Sequence, residues 1–398
     1  MSHNTQSTIL IALHKIGPYH HARLESLALT SNHKLIVLET RPNSLEYPWD
    51  PNTQTSLYTL VQLQGATSAE TDPPPSTLRL QIYHCINLYK PSHVVIVGWA
   101  DRAYLQLMIT SSNARIPCII VSDSRKIDSP RKLFLEFLKR LLLGSVSSAL
   151  VAGTDSRSYL RSLGVPPTAI FQPWDVVDNL FFQNYHSVTT NNSPAQHQPF
   201  ICVGRFIPEK NHNYLIDAYR QYQLSGGYRE LLLLGHGPLE NDLKNKCKTL
   251  LKPSRVIFHS FVQLDELAAI YKKSFALILC SLKDTWGLVV NEAIASGIPV
   301  VVSNCCGCSI DLVEHNLSGF IIDPANIDDL VHVMHMIDAQ SESQRILMTN
   351  NARANLESYS PLSFADGLQN AIVYASRNPR YSGIGILVSR LICFFSRR

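Results

Sequence analysis

The residues of this chain best suited to chemistry are two cations and two acids. Arg205 and Lys210 stand in CVGRFIPEKNHNYLI (202–216), and Asp284 and Glu292 stand in SLKDTWGLVVNEAIASGIPVVVS (281–303). In the first stretch a strand ends at Val203, Gly204 permits a tight turn, and a helix is expected from about Asn211. Two cations beside a helix start, with its free N–H groups and positive dipole end, make a site for a diphosphate. Solvated loop cations would leave the same trace. In LLGHGPLE (233–240) the logic recurs one unit later, with Gly235 and Gly237 in a turn after a strand and a helix expected from Pro238. A lone G-x-G is a weak signal, a tight turn more often than a ligand loop. In the second stretch a helix is expected from near Trp286 to Ser296, stopped by Gly297. Asp284 then lies in the preceding loop and Glu292 about two turns along, roughly 12 Å away. Gly287, lacking a side chain, lets that helix start approach a ligand. On spacing alone the two acids read more readily as a helix-start acid and a solvated helix residue.

These side chains need strands to hold them. TILIALH, HKLIVLE, SHVVIVGW and IPCIIVSD are apolar runs separated by helical patterns in the first half, and FICVGRF, RELLLLGHG, RVIFHSF, FALILCS, IPVVVS and SGFIID recur in the second. Continuous Val/Ile/Leu runs between helices are what parallel sheets covered on both faces demand. The expected fold is α/β, with two Rossmann-like doubly wound domains facing across a cleft. The boundaries drawn are 1–185, a polar linker over 186–199, 200–375, and a tail over 376–398 that packs back on the first domain or meets a membrane.

The 398 residues suit two domains. With 45% hydrophobic and 17% charged residues the chain is globular, and a formal charge of +4 calls for no nucleic acid partner. Nine scattered cysteines are odd in number, which suits reduced thiols in a cytosolic protein. NCCGCS (304–309) has no second C-x-x-C to make a zinc site. The N-terminal apolar run is too short for a signal peptide, and GIGILVSRLICFF near the end is too short to span a bilayer. After Asp366 there is no acid, and SPRKLFLEFLKRLLLGS (129–145) is an apolar helix with a basic stripe, so an anionic membrane surface is a candidate partner beside plain packing on the sheet.

GRFIPEKN, GHGPLE, HSFV and DTWGLVVNEAIASGIPVVVS followed by DLV and SGFIID, in this order, resemble the retaining nucleotide-sugar glycosyltransferases of family 4, the glycosyl transferases group 1, with the GT-B fold. The resemblance covers 200 to about 333; the first half matches only in pattern. It implies that Arg205 and Lys210, after Gly204, bind the donor diphosphate, that Asp284 contacts the donor sugar, and that Glu292 grips the ribose. Asp284 stands where the family has Glu, one methylene longer. Backbone near Phe261 and Val262 is expected to receive the base, and Thr285, Trp286, Gly287 and Leu288 to face sugar and diphosphate through their amides, with Gly235 and Gly237 in the same donor site. The chain has no D-x-D, so no divalent metal or other cofactor is expected.

The acceptor is expected on the first domain. Gly17 resembles the family's glycine-rich loop, with Pro18 replacing a usual glycine, and His20 or His21 is a candidate for the acceptor hydroxyl or the leaving phosphate. Trp99 and Asp101, in GWADRAY, could stack on and hydrogen-bond an acceptor sugar; Trp99 is equally suited to core packing. Asp123 stands where relatives carry a histidine. The resemblance implies a retaining transferase acting on a carbohydrate or lipid-linked acceptor in polysaccharide or lipid-linked glycan assembly, cytoplasmic or peripheral at the inner face of the plasma membrane. A nucleotide-sugar 2-epimerase of the same fold and an inactive sugar-nucleotide-binding protein are the alternatives.

Overall fold

The structure, a computed structural model, describes residues 7–43, 49, 56–65, 73–185, 198–250 and 255–395. Its elements in chain order are β1 (Thr8–Leu13), α1 (Pro18–Thr30), β2 (Lys34–Glu39), β3 (Thr59–Gln62), α2 (Pro75–Tyr89), β4 (His93–Val97), α3 (Arg102–Asn113), β5 (Cys118–Ser122), α4 (Leu133–Leu143), β6 (Ser148–Val151), α5 (Thr154–Ser162), β7 (Ile170–Phe171) and α6 (Asn179–Asn184). There follow β8 (Phe200–Val203), α7 (His212–Leu224), β9 (Leu231–Leu234), α8 (Glu240–Leu250), β10 (Val256–His259), α9 (Leu264–Lys272), β11 (Ala276–Leu279), α10 (Leu288–Ser296), β12 (Val300–Ser303) and α11 (Ser309–Leu312). The chain closes with β13 (Phe320–Ile322), α12 (Ile327–Asp338), α13 (Glu342–Leu356), α14 (Pro361–Arg377) and α15 (Gly383–Phe395).

Two compact units result, one of residues 1–176 with 361–398, the other of 177–360. The boundary expected at 185 thus falls at 176, and α14, expected in the second domain, belongs to the first. The expected linker lies almost wholly outside the described residues.

In the first unit the strand order is β3-β2-β1-β4-β5-β6-β7, and in the second β10-β9-β8-β11-β12-β13. Every pairing within these sheets is parallel. Strands such as LLLL of β9 and VVVS of β12 are buried along their whole length, as residues with helices on both faces must be. In each unit the order runs outward from the first strand and then reverses, so the switch points lie between β1 and β4 and between β8 and β11. Loops leaving neighbouring strands at such a point diverge and leave a crevice.

Helix α14 closes the first unit. Phe364, 1% exposed, packs on Trp174, and Ser148 Oγ on β6 donates to the Ala371 carbonyl at 2.8 Å. Gly367 sits so close to the chain before β7 that a Cβ there would stand 2.7 Å from the Gln172 carbonyl oxygen.

Candidate active site

The loops leaving β8, β9, β10, β11 and β12 are joined backbone to backbone. Gly204 N–H donates to Leu234 O (3.0 Å), Phe206 N–H to His236 O (2.8 Å), and Gly235 N–H to His259 O (2.9 Å). Leu282 N–H reaches Glu209 O (2.8 Å), Gly307 N–H reaches Asp284 O (3.0 Å), and Cys308 N–H reaches Trp286 O (3.0 Å). Sheet pairing therefore continues past the strand ends and fixes the loops that carry the polar side chains.

The glycines serve this contact. A Cβ on Gly235 would lie 1.9 Å from Gly204 O, and one on Gly237 would lie 2.6 Å from Phe206 O. Both are demanded by the approach of one loop to the next, whatever ligand the site takes. Gly287 has φ +102°, the left-handed region, and starts α10; Gly297, at φ +83°, ends it. Arg353 donates to the carbonyl of Ala295 (3.1 Å) at that C-terminus.

Lys210 and Asp284, from the loops after β8 and β11, meet across the second unit's switch point with Nζ and Oδ2 2.5 Å apart. Their side chains are 20% and 13% exposed, and the Lys210 stem lies over Gly204. Arg205 is half-buried in the same loop. No side chain caps α10, whose N-cap, Gly287, comes three residues after Asp284. Lysine, arginine and an uncapped helix start around one crevice form a receptor for a polyanion.

Glu292 is 2% exposed, which removes the solvated-helix reading, and its Oε2 accepts from Tyr271 Oη at 2.8 Å. The Trp286 ring, 2% exposed, donates from Nε1 to Asn291 Oδ1 (2.9 Å) and packs on Tyr359, so only its backbone is placed to face a ligand. Thr285 and Leu288 are half-buried at the start of α10. Val262 is buried after β10, and the partly exposed Phe261 stands edge-on to His236. Cys306 and Cys308 are buried beneath the loop, where burial pushes the Cys308 thiol well above its usual range. Among the described residues no group of three His, Cys, Asp or Glu is placed to hold a metal ion.

His212, the first residue of α7, is 1% exposed, stands edge-on to Phe206, and makes no hydrogen bond from either ring nitrogen among the described residues. Burial, then the Lys210 charge, pushes its pKa down to about 4. Above pH 6.5 it is neutral folded or unfolded. As pH falls from 6.5 to 4 only the unfolded chain takes up the proton, so stability drops by about 1.4 kcal/mol per pH unit and levels off below 4. Thermal melting from pH 7 to 4.5 is expected to show this decline, and His212→Gln to make it shallower, the rest coming from His20 and His93, whose pKa values burial also lowers; parallel slopes would contradict it.

At the first unit's switch point the structure assembles a second polar cluster. His14 follows β1, Arg41 lies beyond β2, and Asp101 follows β4. His14 Nε2 and Arg41 Nη2 approach Asp101 Oδ2 at 3.1 and 2.6 Å, and the His14 ring stacks on Tyr104 at 5.0 Å. Asp101 Oδ1 also caps α3 by accepting from Ala103 N–H (2.8 Å). This carboxylate, 8% exposed, is therefore an organiser of the cluster, and His14, its side chain 45% exposed, is the cluster's most exposed member.

The other expected acceptor residues are engaged in packing. Gly17 N–H donates to His20 Nδ1 (3.2 Å), while burial, then Arg23, holds the His20 pKa far below its ordinary value. His21 pairs with Tyr58 Oη at 3.1 Å. Trp99 packs against the core, with Tyr159 and the Lys139 ammonium beside it. Asp123 uses its carbonyl to accept from Ser156 Oγ (2.9 Å). Sequence reasoning missed His14 and Arg41: one directly follows an apolar strand and the other comes two residues after one, but only the order β2-β1-β4 puts them beside Asp101.

Residues 189–354 match the family described as glycosyl transferases group 1. The second unit is a glycosyl transferases group 1 domain. An uncharacterized glycosyltransferase of Methanocaldococcus jannaschii is 26% identical over 189 residues, 47% of this chain and 48% of that protein. The chain thus spans about half the length, or less, of the curated relatives it matches. Among solved structures, a sucrose-phosphate synthase of Thermosynechococcus elongatus superposes with a TM-score of 0.72 at 18% identity, over 94% of this chain and 99% of that one. HepE of Anabaena, in complex with UDP and glucose, gives 0.69 at 15% identity over 92% and 100%. These likenesses extend the GT-B fold over both units, where the family match reaches only the group 1 domain.

Proposed function

We propose that the protein is a retaining glycosyltransferase that moves a sugar from a nucleoside diphosphate to an acceptor hydroxyl without a divalent metal. The observation that carries the reading is the Lys210–Asp284 pair beside the start of α10 at the group 1 domain's switch point. A lysine ammonium has three donors, so Lys210 can hold Asp284 and a phosphate oxygen together. Charge developing on the departing diphosphate is met by Lys210, Arg205 and the α10 N-terminus, groups already in place before reaction. Asp284, held by Lys210, is positioned to accept from a sugar hydroxyl, and the buried Glu292 is assigned to the ribose. A neighbour of this fold crystallised with UDP and glucose supports a nucleotide-sugar donor.

The acceptor is assigned to the first unit, at His14. With Nε2 engaged by Asp101, Nδ1 is the nitrogen left to orient a hydroxyl. The deciding experiment is donor turnover with and without added glycan acceptors. Transfer only with acceptor supports the reading; isomerised donor without acceptor replaces it with an epimerase, and binding without turnover replaces it with a non-catalytic role.

The acceptor is further proposed to lie at an anionic bilayer surface. Leu133, Phe134 and Phe137 are 88%, 70% and 56% exposed, and with Arg140 they share one face of α4 by helical spacing. Lys126 and Lys132 are exposed nearby, and the single acid of α4, Glu136, is paired with Lys139 (2.7 Å). Apolar side chains ringed by cations are what an anionic lipid surface binds. No described helix is long and apolar enough to cross a membrane. Sedimentation with phosphatidylglycerol vesicles is expected, at least tenfold weaker for Phe134→Ser with Phe137→Ser; binding equal to neutral vesicles would contradict it.

A further inference from the structure

A groove of 810 Å³ runs between α2, α3 and α15 of the first unit. Arg79, Arg102 and Arg390 line it, no acid does, and its apolar wall includes Tyr83, Ile86 and Ile109. None of the three arginines pairs with a carboxylate among the described residues, and Arg102 Nε is buried there without a hydrogen-bond partner. Tyr83, beside the wall, is 59% exposed, while Ile86 and Ile109 are 5% and 6% exposed. A buried donor left without a partner destabilises the fold, and a bound acceptor oxygen would satisfy it.

Two of the three arginines, Arg79 and Arg102, stand near the starts of their helices, and Arg390 lies on α15. Helices α2 and α3 each follow a parallel strand, β3 and β4, so both start at the carboxyl edge of the sheet. Arg102 is the first residue of α3 and Arg79 the fifth of α2, whereas Ile86 and Ile109 lie about two turns further on. Two arginines at one end and Tyr83, Ile86 and Ile109 beyond them, beside Asn87 and Asn113, match a long-chain molecule with an anionic head. Arg102 directly follows Asp101, so the charged end lies next to the His14–Asp101 cluster.

We infer that this groove binds a single long-chain phosphate, its head at Arg79 and Arg102 and its chain against Tyr83, Ile86 and Ile109. Resting on the transferase reading, this makes the acceptor a phosphate-bearing lipid whose sugar reaches His14. The same chemistry could come from a bilayer phospholipid, and the experiment separates the two sources.

Calorimetric titration of the full chain with dodecyl phosphate is expected to give one saturable site, weakened at least tenfold by Arg102→Gln and by Arg79→Gln. Inorganic phosphate and dodecyl maltoside are expected not to compete. Equal binding of dodecyl maltoside, or unaltered affinity in both arginine variants, would overturn the groove. Should one variant fail to fold, the other decides. Nucleoside diphosphate binding, followed by thermal shift on the same samples, is expected to be unchanged by either substitution. If it is absent while dodecyl phosphate binds, the transferase reading fails and the groove stands. A prenyl-phosphate sugar that is glycosylated by wild type, with a raised KM and unaltered kcat in Arg102→Gln, identifies the acceptor; if only phosphatidic acid competes with dodecyl phosphate, the source is the bilayer and the acceptor role is lost.

Discussion

Replacing Lys210 by alanine is expected to lower kcat/KM for sugar transfer by on the order of a hundredfold or more, and Arg205→Ala to do the same. Each removes a cation positioned where the leaving diphosphate gains charge, and losing one such preorganised donor costs about 2.7–4 kcal/mol of barrier. The two variants differ in their side effects. Lys210→Ala strips the partner from the Asp284 carboxylate, 13% exposed, and so lowers the melting temperature as well. Adding Asp284→Asn to Lys210→Ala is expected to restore the melting temperature but not the rate. If stability and rate return together, Lys210 is a scaffold residue; if transfer survives in both single variants, the diphosphate assignment is wrong.

The second large effect is expected from one methyl group. In Gly235→Ala the new Cβ falls 1.9 Å from the Gly204 carbonyl oxygen, a backbone atom that no rotamer change moves aside. The loops after β8 and β9 have to separate, breaking the pairings of Gly204 with Leu234 and Phe206 with His236. A loss of about 3–5 kcal/mol is expected in denaturant unfolding, together with donor affinity. Gly383→Ala is the control, since it meets no atom within 4 Å. It is expected to change stability by less than about 1 kcal/mol. A Gly235→Ala protein with the control's midpoint would refute the loop contact.

Much of this was legible in the sequence because burial writes itself into composition. The unbroken runs ILIAL, LLLL and VVVS announced parallel strands, and the glycines at 204, 235, 287 and 297 marked the turns that end or begin their neighbours. Spatial order was not legible. Nothing in the chain says that β8 lies between β9 and β11, so the meeting of Lys210 with Asp284, 74 positions away, had no local trace. Side-chain fate was equally hidden: Glu292 and Trp286 share a helix start, yet both turn inward, one to Tyr271 and the other to Asn291. Asp101 looked like a ligand because its partners His14 and Arg41 follow strands far away in sequence.

The return of α14 to the first unit has a bearing on how the protein is made. On the ribosome, β1 to β7 emerge early, but the helix that covers β6 through Ser148 and Ala371 and seats Phe364 on Trp174 is translated only after all of Val177–Ser360. The group 1 unit is contiguous and can complete itself during elongation, whereas the unit that starts first is finished last, leaving an apolar sheet face bare in the nascent chain. Synthesis of Pro361–Arg377, rather than exit of the first hundred and seventy-odd residues, is the event that lets the N-terminal half mature, and truncation before Pro361 would leave a client for chaperones.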